Sequence, residues 1–508
     1  MSLVRAAATV GSFTLLSRLS GFVRDMLTAA LLGAGPLADA FFVAFKLANF
    51  LRRLFGEGAF NAGFVPLLAR TIEGEGKEEG RRFAQEAFAI MATVLLVVVL
   101  VVEMVMPWFI RALAPGFEPG TLRYAAAVDL TRVTFPYILF ICLVALVCGV
   151  LNTVGRFAAA ASVQLVLNLV MIGSLLLSGL HPEGPAMALA WGVAVAGVVQ
   201  LAWVMVAVAR AGMPIRLVRP RITPRIRRLF ALVLPGLVGA GAAQINLLID
   251  TWFATTIEGG PSWLFYADRL TQLPLGVVGT ALGTALLPLL ARQLRAGAML
   301  QARYAFSRAI EMALLFTLPA GVALLVAAEP IVRALFERGA FDAADTMATA
   351  GALMAFSVGL PAYVLIKVLA PAYFAREDTR TPVKIAVLCL VANVLLIMGL
   401  IGPLSHVGIA LATAISNWIN VVLLAWLLWK DRHIGIDERL RARIPRLVLA
   451  SMVMAAALWA VQWLAAGTSP FAMLGLVVAT GVASYALAVQ LGGGGDMREL
   501  RAMLARKA

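Results

Sequence analysis

Charge, histidine and cysteine are scarce in this chain. Among 508 residues only 14% are charged, and there are three histidines and three cysteines. Cys142, Cys148 and Cys389 lie within apolar stretches, so no disulfide framework or metal spacing is written here. His181, His406 and His433 form no cluster, and the acids are scattered. A lipid-phosphate transferase or phosphatase needs convergent carboxylates, a nucleophile–base pair or metal ligands, so enzyme chemistry is disfavoured. Alternation of apolar and polar residues is also missing, which excludes a membrane barrel. What is present is hydrophobicity: 62% of residues, with a mean hydropathy of +0.92. That composition belongs to a polytopic helical membrane protein. The net charge of +15 does not call for nucleic acid, because loop arginines explain it. The first apolar stretch is interrupted by Arg18 and reads as a retained helix rather than a signal peptide.

About twenty apolar residues span a bilayer as a helix. Fourteen such stretches are predicted, at 8–32, 37–68, 84–110, 124–150, 158–179, 186–209, 229–256, 263–291, 306–328, 346–374, 383–402, 407–429, 447–466 and 471–491. The second is long and interrupted near Gly56–Gly58. With both termini cytoplasmic, 30 of the 42 Lys and Arg fall on the inner side and 5 on the outer side. The other 7 lie within the membrane: Arg18, Arg24, Lys46, Arg52, Arg53, Arg269 and Lys367. That asymmetry is the positive-inside pattern.

Short motifs recur at a nearly constant offset, between 222 and 225 residues. Pro-Leu-Leu-Ala-Arg stands at 66–70 and 288–292, Ala-Leu-Ala at 188–190 and 410–412, Leu-Ala-Trp at 201–203 and 424–426. Asn168 and Asn393 are placed alike. A duplication of six helices follows. An even number gives both copies the same orientation, with a substrate path expected between them and alternating access by rocking. The chain therefore divides into an N-lobe at 1–210, a basic linker at 211–228 and a C-lobe at 229–430. A basic loop at 431–446, two extra helices at 447–491 and a tail at 492–508 complete it.

Helix 1 places Ser17, Ser20, Gly21 and Arg24 on one face, and Arg18 and Asp25 on another. In helix 2, Asp39, Lys46 and Arg53 repeat every seven residues and Glu57 follows Arg53 by four. These four read as a structural ion-pair face. Arg52 has no acid in register, and Asn49 lies one turn before it. Helix 8 carries Asp268 and Arg269. Arg24 and Arg52 read as ligand-binding, because arginine at bilayer depth is costly and its planar fork suits a phosphate. Arg18 and Arg269 stay open between binding and pairing with Asp25 and Asp268. Asp250, with Asn393 and Thr413, is either a cation site or an acid held protonated.

The residues at 16–25 (Leu-Ser-Arg-Leu-Ser-Gly-Phe-Val-Arg-Asp), 39–49, 51–60, 114–117, 266–270 and 367–371 closely resemble those of the MviN/MurJ lipid II flippases. That family belongs to the same exporter superfamily as multidrug MATE transporters. The resemblance implies a bacterial cytoplasmic (inner) membrane protein. It would move lipid II, the undecaprenyl-diphosphate-linked peptidoglycan precursor, to the periplasmic leaflet for cell-wall growth and cell shape. It implies cavity arginines at Arg18, Arg24, Arg52 and Arg269 and acids at Asp39 and Glu57; Ser17, on the Arg24 face, and Asn49, one turn before Arg52, are expected beside them from helix geometry. It also implies a lipid-tail groove on the last two helices. Some relatives bind sodium, and Asp250, Asn393 and Thr413 match part of that site, but Ile397 stands where those relatives place a second acid. No cofactor is expected. Na+, H+ or the membrane potential remain as energy sources. The expected partners are lipid II, the phospholipid bilayer and cell-wall synthesis proteins, with the chain a monomer. The alternatives are a flippase for another polyprenyl-diphosphate glycan and a cation-coupled multidrug exporter.

Overall fold

The computed structural model describes residues 3–52, 59–430 and 437–493, with backbone only at 3–8, 51, 59, 62, 234–244 and 277–285. Among the described residues the fold is all helix, apart from one isolated bridge between Arg338 and Phe341. Nine helices among them are long and apolar enough to cross a membrane.

Two compact units emerge: Met1–Ser262 with Arg338–Phe341, and Trp263–Glu337 with Asp342–Ala508. In the first, α1 (Leu3–Leu32) packs on α8 (Phe157–Leu176), which packs on α9 (Gly184–Arg210). Helix α2 (Pro36–Arg52) packs on α6 (Leu122–Thr134), and α7 (Tyr137–Thr153) on α9. Helix α3 (Ala59–Glu75) is flanked by α4 (Lys77–Met104), α7 and α10 (Pro224–Ala254). The short α5 (Met106–Leu113) follows α4.

Helix α11 (Gly260–Arg295) leads into the second unit. There α14 (Ala343–Phe374) packs on α12 (Met299–Val326) and α15 (Arg380–Lys430). The short α13 (Ala328–Phe336) joins α12 to α14. Helix α16 (Glu438–Leu464) lies on α12 and on α17 (Pro470–Leu491). Helix α15 is two helices merged across a kink at Ser405, where φ is 51° and ψ −136°.

Helix boundaries reproduce the repeat. Helix α12 is α4 displaced by 222 residues at both ends. Helix α13 begins 222 residues after α5. The pair α5 and α13 is not foreshadowed by hydropathy, since each is too short to span. Each buries one side (Met106 and Ile110 in α5, Val332 and Phe336 in α13) and leaves the other exposed, as amphipathic helices do.

Local chemistry fixes the ends. Thr121, Thr223, Asp342, Asp437 and Ser469 each accept a hydrogen bond from a first-turn amide of α6, α10, α14, α16 and α17. After α1 the chain turns at Gly33, with φ +65°. A Cβ there would stand 2.4 Å from the Ala340 carbonyl oxygen, and one at Gly339 would stand 2.1 Å from that of Ala30. The amide of Ala340 donates to the Ala30 carbonyl at 2.8 Å. Only glycine admits both the left-handed backbone and this approach.

In the second unit the buried Glu311 of α12 gathers Arg308, Arg443 and, at 3.6 Å, Arg439. Arg308 also reaches Asp437 at 2.6 Å. This cluster fastens the start of α16 to α12. Glu311→Ala leaves Arg308 and Arg443 without their shared carboxylate and should destabilise the second unit by about 3 kcal/mol. The check is a lower thermal midpoint in detergent than for Glu311→Gln.

Candidate functional site

Arg24 is built into a polar pocket in the first unit. Only 4% of it is exposed. Its Nε donates to Asp25 Oδ1 at 3.0 Å and Nη2 to the same oxygen at 2.6 Å. Nη1 donates to Asn168 Oδ1 at 2.9 Å and lies 3.8 Å from Met171 Sδ. The Phe45 ring sits under the guanidinium, its centroid 5.4 Å away. Asn168, on α8, donates in turn to the Ser17 carbonyl at 2.8 Å and to Ser20 Oγ at 3.1 Å. Gly21 makes room: a Cβ there would meet Asn168 Nδ2 at 3.1 Å.

Asp25, which sequence left as one possible partner of Arg18, is taken by Arg24. Neighbouring residues on a helix point about 100° apart, but the long Arg24 side chain folds back onto Asp25. Arg18 is half-buried and makes no ion pair among the described residues. Ser17 is buried, and its carbonyl is taken by Asn168 and Ser20.

On α2, Arg52 Nε donates to Asn49 Oδ1 at 3.3 Å, one turn back, and Asn49 Nδ2 donates to the Phe45 carbonyl at 3.0 Å. Lys46 Nζ donates to Thr251 Oγ1 of α10 at 3.3 Å. Arg53 and Glu57 lie outside the described residues. Arg269 stacks on the Phe265 ring at 4.7 Å, and its neighbour Asp268 accepts from Gln272.

Asp39 departs most from expectation. It is fully buried and leaves the supposed ladder along its own helix. Arg123 Nη2 of α6 donates to its Oδ2 at 2.8 Å, and the Gly259 amide donates to the same oxygen at 2.8 Å. The Ser262 amide and hydroxyl donate to Oδ1 at 3.1 and 2.7 Å. The carboxylate thus caps the start of α11, where free amides and the helix dipole favour negative charge. Arg123 also donates to the Ile257 carbonyl at 3.0 Å, and its guanidinium lies 4.5 Å from the Phe117 ring. Arg123 is one of the five Lys and Arg assigned by sequence to the outer side, and nothing in either stretch links it to Asp39, 84 residues away.

Of the expected cation site, Asp250 falls in the first unit, and Asn393 and Thr413 in the second. Asn393 is fully buried and Thr413 Oγ1 donates to the Ile409 carbonyl at 3.1 Å. Among the described residues no group of three or more His, Cys, Asp and Glu side chains would hold a metal.

The profile described as "Lipid II flippase MurJ" matches residues 28–478. The chain belongs to that family. A Rhizobium meliloti (strain 1021) relative called "Probable lipid II flippase MurJ" is 46% identical over 507 residues, covering 97% of this chain and 95% of its own. A solved structure titled "Lipid II flippase MurJ, inward closed conformation" superposes with a TM-score of 0.79 at 25% identity, over 95% of this chain and 98% of that one. An inward-facing multidrug MATE transporter superposes with a TM-score of 0.68 at 14% identity, over 84% and 98%. The last shows shared fold alone.

Membership makes the Arg24 and Asp39 networks features of a transporter scaffold rather than of a catalytic centre. Removing Arg123 strands a buried carboxylate. Arg123→Ala should therefore destabilise the first unit by about 3 kcal/mol, and Arg123→Ala with Asp39→Asn by less. Thermal midpoints of the single and double variants check this.

Proposed function

We propose that this chain is a lipid II flippase of the bacterial inner membrane, a transporter rather than an enzyme. It would carry the diphosphate-linked headgroup from the cytoplasmic to the periplasmic leaflet by alternating access. Family membership supports the substrate. What supports the chemistry is the set of arginines that α1 and α2 carry in one unit, Arg18, Arg24 and Arg52.

The topology of this reading has fourteen crossings. Helices α2 and α3 make one interrupted crossing, α6 and α7 another, and α15 two. The Lys and Arg distribution supports cytoplasmic termini and two like-oriented sets of six helices with α16 and α17 added.

The headgroup needs a polar route because its diphosphate does not enter hydrocarbon unaided. Arg52, steadied by Asn49, and the half-buried Arg18 offer charge-assisted hydrogen bonds to phosphate oxygens. Arg24 is already held by Asp25 and Asn168, so a diphosphate must displace Asp25 to engage it. An organic-cation exporter would need acids or apolar walls where these arginines stand.

We also propose that the membrane potential resets the carrier, since an empty cationic site is drawn toward the inside-negative face. Ile397 is fully buried and apolar one turn from Asn393, which weakens a sodium site there. Replacing Na+ by K+ should change flipping less than about twofold, while collapsing the potential should slow it by about tenfold. Reconstituted vesicles with imposed ion gradients give both rates.

Arg18→Ala, Arg24→Ala and Arg52→Ala should each lower flipping by about tenfold to a hundredfold, the worth of one or two charge-assisted bonds, with membrane insertion intact. The measurement is depletion of the native protein, complementation by each variant, and assay of the polyprenyl-linked precursor retained in the inner leaflet. Full cell-wall synthesis from all three variants, or accumulation of a different precursor, would sink the assignment.

A further inference from the structure

The segment between α9 and α10 is a strap held at both ends. Lys77 Nζ donates to the Ala211 carbonyl at 3.3 Å, and Gln85 Nε2 to the Pro214 carbonyl at 3.2 Å. Met213 and Ile215 are buried beneath it. At the far end Thr223 Oγ1 donates to Glu86 Oε2 at 2.9 Å while capping α10. Arg225 bridges Glu75 at 2.5 Å and Glu79 at 3.0 Å.

Between these pins the strap is not helical, and it turns two large apolar side chains outward. Leu217 is 74% exposed and Ile222 is 67% exposed. Arg216, Arg219 and Arg221 stand exposed around them, and Arg227 and Arg228 follow on the first turns of α10. None of these five enters an ion pair among the described residues, whereas the acids beneath, Glu75 and Glu79, are engaged by Arg225. The strap thus faces outward with aliphatic side chains set among unneutralised guanidinium groups.

That combination fits one kind of surface. Helix α9 is long and apolar enough to cross a membrane, and α10 is a crossing in the reading above, so the middle of the strap would lie at the level of the headgroups. Anionic headgroups attract basic juxtamembrane segments, and aliphatic side chains enter the acyl boundary beneath them. Two large aliphatic side chains left in water would forfeit the gain of burial. We propose that residues 216–222 form a membrane anchor that binds the anionic inner leaflet, with Leu217 and Ile222 inserted and Arg216, Arg219 and Arg221 on lipid phosphates. The inference rests on the cytoplasmic placement of this segment in the reading above. The strap then holds the joined ends of α9 and α10 in the plane of the leaflet.

The test uses the full chain reconstituted in vesicles of phosphatidylcholine, alone or with one part in three phosphatidylglycerol. Nitroxide labels are placed through Leu217→Cys, Ile222→Cys and, as an aqueous reference, Glu73→Cys. The unsubstituted protein corrects for its own three cysteines. Collision with oxygen reports lipid, and collision with a water-soluble nickel chelate reports solvent. The oxygen-to-nickel ratio at 217 and 222 should exceed that at 73 by about fivefold, and rise further with phosphatidylglycerol. Replacing Arg216, Arg219 and Arg221 together by Gln should remove that rise. Labels as open to nickel as at 73 would overturn the anchor, and so would labels shielded from both reagents, which would mean a protein cover. A ratio indifferent to phosphatidylglycerol would overturn the anionic-lipid assignment. Flipping measured in the same vesicles separates this failure from a failure of the transport reading.

Discussion

A charge in hydrocarbon must find a partner or a reason, and that constraint orders the structure. The interior of this chain is too apolar to solvate an ion. Among the described residues Arg24, Lys46, Arg52 and Arg269 are each fastened to a carboxylate, an amide, a hydroxyl or an aromatic face. Arg24 uses Asp25, Asn168 and Phe45 together. Asp39, fully buried, consumes an arginine, a serine hydroxyl and two backbone amides. In the second unit Glu311 neutralises arginines from two helices and so fixes where α16 begins. Packing and electrostatics are inseparable here, because helices in lipid gain little from apolar contact alone and rely on close fit and polar links.

Much of the architecture was legible in the sequence because membrane spans and loop arginines are written in composition. The repeat was legible for the same reason, and the boundaries of α4 and α12 carry it residue for residue. The short helices α5 and α13 were not, since nine residues or fewer give hydropathy nothing to register. The kink at Ser405 falls in Gly402-Pro-Leu-Ser-His406, between the spans predicted at 383–402 and 407–429, so composition marks the turn but not its backbone.

The arginines at depth were legible as a group, and their partners were not. Helical periodicity sorts residues by the direction of Cβ, whereas a guanidinium lies several bonds further out. Arg24 therefore reaches its sequence neighbour, against the rule for faces. Asp39 and Arg123 are 84 residues apart, and nothing local in either stretch ties one to the other. The Asn49 contact to Arg52 was foreseeable, since it needs only one helical turn.

Two populations of positive charge result, and they differ in what can replace their partners. The arginines of the strap and loops face water and obey the positive-inside asymmetry, so any anion of the leaflet serves them. Arg24 on α1 is buried, and its guanidinium would be costly there without a partner. Asp25 answers that need for Arg24, with Asn168 holding the guanidinium from the other side. A diphosphate carries more charge and more acceptor oxygens than one carboxylate, so it competes on favourable terms. Under the proposed transport reading the pair is therefore a stored cation rather than a spent one. A permanently naked arginine would hold a diphosphate too tightly to release, while one neutralised by the adjacent carboxylate would return to that partner once the diphosphate left.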